Sequence, residues 1–92
     1  MLENKFTFKT NQDSQDYVIA IAAFMMKSYK VSNEEAVGRI NNFWCGNDFT
    51  DENSMLFHET PEFWANEIYL EDEFWWEKDI TTLVPREYKK MD

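Results

Sequence analysis

The chain of 92 residues is poor in the side chains on which most site chemistry depends: it has one cysteine, Cys45, one histidine, His58, and two glycines, Gly38 and Gly46. A single cysteine excludes an intrachain disulfide and fits a reducing compartment, so Cys45 is read as a small buried residue. One cysteine and one histidine leave zinc without a ligand set. Two isolated glycines cannot build a phosphate-cradling loop, and no serine or cysteine sits in a recognisable nucleophile context. His58 neighbours Glu59 in sequence, which does not by itself bring the two side chains together. The chain is therefore read as non-enzymatic, with no cofactor.

Bases are scarce as well, nine against eighteen acids, giving a net charge of -9. Nucleic-acid binding needs a basic stripe that displaces phosphate counterions, and anionic membrane surfaces attract cations, so neither is expected as a direct ligand. The longest uncharged run, Tyr17 to Met26, spans ten residues, about half of a membrane crossing. The first ten residues lack the apolar stretch and small-residue cleavage pattern of a secretory leader. These absences together point to a cytoplasmic protein.

What is abundant is concentrated. Residues 48 to 79 hold eleven acids and one base, Lys78, while the flanking stretches nearly balance, so the charge of the protein is the charge of one segment. That segment also carries eight of the sixteen aromatic residues. Hydrophobic content of 43% is ample to offset ordering entropy, so the chain is expected to fold.

The expected fold is mainly α, a compact single domain spanning 1–92, with three helices, or four, and short extended pieces. Residues 1–12 form an extended arm, in which Lys5 to Lys9 alternates like a half-buried strand but lacks a convincing partner. Asp13 or Ser14 can cap a first helix over Tyr17 to Lys30, which is apolar around most of its circumference and so takes the centre of the core. Ser32 and Glu35 form a capping box that opens a second helix from about Asn33 to Cys45. Its buried positions are Ala36, Val37, Ile40, Phe43 and Trp44, with Arg39, Asn41 and Asn42 on the other side; Gly46 supplies the left-handed stop. The two tightly joined helices resemble a helix-turn-helix in layout, but the second lacks a basic reading face.

Thr60-Pro61-Glu62 opens a third helix. Phe63, Trp64, Ile68 and Leu70 are assigned to its apolar side, and Glu62, Asn66 and Glu67 to water. Met55 to Phe57 reads as a strand or a plug over the core, Ile80 to Val84 as a strand or extended return ended by Pro85, and 86–92 as a mobile tail.

Two binding chemistries compete for the acidic segment. Asp48 to Glu59 has calcium-loop spacing, with Glu59 at the bidentate position, but Asn53 stands where glycine should make the sharp turn. The second is protein docking. Adjacent residues cannot point the same way, so one indole of Trp75-Trp76 is expected at the surface. Carboxylates around an exposed indole are the composition of a hot spot for a basic protein: steering from the acids, buried area and cation-π attraction from the ring. The residues assigned to it are Glu62, Glu67, Glu71, Asp72, Glu73, Trp75, Trp76 and Glu77.

In size, acidity and aromatic content the chain resembles the small acidic inhibitors of bacterial conflict, namely immunity proteins that neutralise basic toxins and phage proteins that imitate nucleic acid. No residue-level signature accompanies the resemblance, so no site carries over from it. The expected function is occlusion of a basic surface on a nuclease-like toxin or enzyme. The alternative is a small structural domain that forms a homo-oligomer and whose acidity serves only solubility.

Overall fold

A computed structural model describes residues 6–51, 55–72, 74–79 and 82–87. Among them are three α-helices, α1 (Gln12–Tyr29), α2 (Asn33–Phe43) and α3 (Pro61–Tyr69), with two-residue strands β1 (Lys9–Thr10) and β2 (Asp48–Phe49). Single 3-10 turns lie at Met55–His58 and Trp75–Glu77. The mainly α, compact character expected from the sequence is what the fold has: its radius of gyration is 12.8 Å, against about 12 Å for a globule of this length.

The first helix begins earlier than expected, because its cap is Asn11. Asn11 Oδ1 accepts from the Ser14 amide at 2.8 Å while Ser14 Oγ accepts from the Asn11 amide at 2.9 Å, a closed capping box. Lys30 ends the helix in the left-handed conformation, at φ 60°. Val18, Ile21, Ala22 and Met25 are buried, yet Ala20, Ala23, Lys27 and Ser28 are exposed, so α1 is central but keeps one wet side. Helices α2 and α3 both pack on it.

Ser32 and Thr60 cap α2 and α3 as the sequence requires, accepting from the amides of Glu35 at 3.0 Å and Phe63 at 3.1 Å. The Glu35 carboxylate is drawn to Arg39 Nε, one turn on, at 2.8 Å. Helix α2 ends at Phe43, two residues short of the expected boundary, and Gly46 at φ 82° turns the chain into β2.

The partner that the N-terminal arm lacked is β2. The strands run parallel, Lys9 opposite Asp48 and Thr10 opposite Phe49, and Asn11 Nδ2 donates to the Thr50 carbonyl at 2.9 Å. This pairing seats Phe8 edge-on against Phe49 (5.4 Å) and Trp44 (5.9 Å). Trp44 in turn meets Trp64 at 5.3 Å, making a continuous aromatic core between the sheet and α3. Met55–His58 is the plug and not the strand: Leu56 is fully buried and its carbonyl accepts from Trp64 Nε1 at 2.9 Å.

Two asparagines assigned to the solvent sides of their helices are buried, and each serves a distant group. Asn41 Oδ1 accepts from the Thr7 amide at 3.0 Å, fixing the arm; Asn66 Oδ1 accepts from the Tyr29 hydroxyl, fixing α3 to α1. Cys45, expected to be buried, is exposed.

The C-terminal return pairs with the end of α3. Leu70 bridges Pro85 in the antiparallel sense, the Glu71 amide donates to the Val84 carbonyl at 3.1 Å, and the Arg86 amide donates to the Tyr69 carbonyl at 2.6 Å. Pro85 therefore lies within the return and does not end it. Arg86, expected as the first residue of a mobile tail, is locked: its guanidinium donates to the carbonyls of Glu67, Ile68 and Leu70, the unsatisfied acceptors at the end of α3. Residues 88–92 of the expected tail, 1–5 of the arm, and Ile80 and Thr81 of the return lie outside the described residues.

Candidate docking ridge

The segment after α3 folds into a tight turn whose geometry is set by Asp72. Its Oδ1 accepts from the Phe74 amide at 2.8 Å and its Oδ2 meets Lys78 Nζ at 2.5 Å, so one carboxylate ties both ends of the five-residue stretch Phe74 to Lys78. The ammonium of Lys78 and the amide of Phe74 hold this carboxyl below the usual aspartate range. Between those ends Trp75–Glu77 makes its single 3-10 turn, with the Glu77 amide donating to the Phe74 carbonyl at 3.0 Å.

That turn sends the paired indoles opposite ways. Trp75 is 7% exposed and packs on Phe63 at 5.4 Å, with its Nε1 donating to Glu67 Oε1 at 3.0 Å. Trp76 is 54% exposed. It stands edge-on to Phe74 (5.7 Å) and Trp75 (5.6 Å) and lies 6.2 Å from Phe63. Phe74, at 52%, and Val84, at 63%, are the other large apolar side chains exposed among the described residues. All three belong to the turn and the return beside it.

The assigned site residues thus divide. Glu71 and Glu77 are exposed on the same turn as Trp76. Asp72 and Glu67 are there too, but they hold the turn and the Trp75 indole in place, and their roles are structural first. Glu62 lies about 100° around α3 from Phe63, the residue that touches Trp76, and its charge acts instead on Tyr29, whose hydroxyl is pushed up by burial, by Tyr69 and by Glu62. Glu73 lies outside the described residues.

Three contributors were not assigned from the sequence. Phe74 could have been found, because an aspartate two residues ahead of it is an Asx-turn signal that fixes the backbone and limits where the ring can go. Val84 is placed by the chain return, and the Lys78 contact spans six residues of the turn with no periodicity to announce it.

Beside the ridge, Glu71, Asp72, Thr82, Leu83 and Val84 line a shallow groove of about 310 Å³. At the start of the acidic segment, Asp48 Oδ1 accepts from the Thr50 hydroxyl (2.6 Å) and amide (2.9 Å), and those two bonds lower its pKa. No cluster of three or more metal-type side chains occurs among the described residues. Among them, too, no helix is long and apolar enough to cross a membrane.

Compared with known proteins, this chain matches no family model, no curated protein and no solved structure.

Proposed function

We propose that this chain is a non-catalytic binding protein that occludes a basic surface on another protein, the active site or nucleic-acid groove of a nuclease-like toxin or defence enzyme, inside the cytoplasm. The observation that carries the reading is the exposure of Trp76 and Phe74 on a turn flanked by Glu71 and Glu77. An indole half out of water is a cost that a partner recovers, and carboxylates beside it steer cations toward it. The turn is tied at both ends by Asp72 and supported by Glu67 and Phe63, which presents the ring without the ordering entropy of a loose loop.

Self-association is the second reading, favoured by the same apolar exposure. It is opposed by charge: a symmetric contact through this face would set the acids of one copy against those of another.

The test is affinity capture at low salt with three baits: the wild type, Trp76→Ala, and Glu71→Lys combined with Glu77→Lys. A protein retained by the wild type, released as salt rises and lost from both variants at unchanged melting temperature supports the proposal. Equal retention by all three baits overturns it, as does a stable dimer of the wild type that hides Trp76.

A further inference from the structure

Helix α1 turns one face away from the rest of the molecule, and the charges along that face complement their own reverse. Val18, Ile21, Ala22 and Met25 face the core, while Asp13, Asp16, Ala20, Ala23, Lys27 and Lys30 are exposed. At 3.6 residues per turn, Asp16, Ala20, Ala23 and Lys27 fall within about 60° of arc, opposite the buried side. They form one stripe, acidic toward the N-terminus, basic toward the C-terminus, with two alanines at its middle.

Asp16 stands four residues before Ala20, and Lys27 four residues after Ala23. The alanines thus fill the turn next to each charge on the inward side, where an opposite charge on the same helix would pair with it. Asp13, Asp16, Lys27 and Lys30 form no ion pair among the described residues; Asp16 accepts only from Gln12 Nε2, at 2.9 Å. The helix dipole accounts for Asp13 and Lys27 in the terminal turns, but not for Asp16 in the second turn. An antiparallel copy of α1 supplies what is missing. When two copies share a centre between Ala20 and Ala23, Asp16 lies level with Lys27 of the second copy, twice over by symmetry, and Asp13 with its Lys30. The alanines at that centre let the backbones close to the short end of the about 8–10 Å range of helix packing.

We propose that α1 is the contact between two copies of this chain, packed antiparallel about a two-fold axis. Charge selects this occupant. Residues 12 to 30 carry two acids and two bases in a chain of net charge -9, so this helix meets a second copy without the repulsion that the acidic segment would bring. The contact does not depend on docking at the ridge, because the stripe is on the wet side of α1 and the ridge leans on Phe63 of α3. A single helix pair stays below the about 1,200–2,000 Å² that stable complexes bury, so monomer and dimer exchange with concentration.

Sedimentation equilibrium over a concentration series reads the association, at about 0.15 M salt, where a Debye length of about 8 Å screens the net charge of the two copies more than a contact pair. The wild type is expected to pass from monomer to dimer as concentration rises. Asp16→Lys and Lys27→Asp each set like charges against one another twice, and each is expected to weaken the dimer about 10-fold or more. Mixed together, the two variants restore both attractions and should associate as the wild type does, which also shows that each is folded. Trp76→Ala should leave the dimer unchanged. A wild type that stays monomeric at every concentration overturns the proposal, as does a dimer that survives both charge reversals or that mixing fails to restore. Loss of the dimer in Trp76→Ala overturns it too and moves the contact to the ridge, whereas a ridge that captures no partner while the α1 dimer persists leaves it standing.

Discussion

At the scale of single residues, the features that matter are polar groups whose partners come from far along the chain. Asn41 and Asn66 sit at positions that helical periodicity gives to solvent, and they are buried because an amide 34 residues away and a hydroxyl 37 residues away need acceptors. Replacing Asn66 with leucine removes the acceptor of the half-buried Tyr29 hydroxyl and is expected to cost about 0.5–1.5 kcal/mol, read from urea unfolding. Adding Tyr29→Phe should recover part of that loss, since the orphaned group is then gone. Asp72 makes a pH prediction. Its pKa is lower in the fold than in the unfolded chain, so its contribution is present above the usual aspartate range and is lost as pH falls through the lowered value. Acid titration of tryptophan fluorescence should show the turn loosening only below that range, and Asp72→Asn should lack the transition. The parity of Trp75-Trp76 tells that one ring is outward, but Glu67 decides which.

At the scale of elements, the helices were legible and the joints were not. Ser32 and Thr60-Pro61 mark their helix starts because one cap and the residues just after it suffice to satisfy free amides. The start of α1 was misplaced because Asn11, Asp13 and Ser14 are all competent caps, and the choice falls to Asn11, which alone also reaches the Thr50 carbonyl. Asn11→Ala should therefore lower stability by about 0.5–2 kcal/mol from the cap alone, measurable by thermal unfolding. The parallel β1–β2 pair was invisible for a different reason: strands of two residues have no periodicity to read, and their pairing joins segments 39 residues apart. Arg86 was assigned to a tail on composition, yet its guanidinium closes the carbonyl end of α3. A basic residue near a chain end gives no sign of which helix it will cap.

At the scale of the whole molecule, the lopsided charge read from the sequence meets a ridge that the fold leaves uncovered. Most aromatics of the acidic segment went inward, as Phe49, Trp64 and Trp75 show. Several of its acids are held in local hydrogen bonds, Asp48 and Asp72 among them. Among the described residues the large apolar side chains left outward are few, Phe74 and Trp76 of the segment and Val84 of the return, with Glu71 and Glu77 exposed on the same turn as Trp76. The central claim is that this small face is where a basic protein docks. Backbone hydrogen exchange, recorded with and without a captured partner, tests it most directly. Protection is expected over residues 71–77 and 82–86 and should fade as salt is raised. Protection confined to the opposite surface, around α2 and the β1–β2 pair, with 71–77 unchanged, would contradict it.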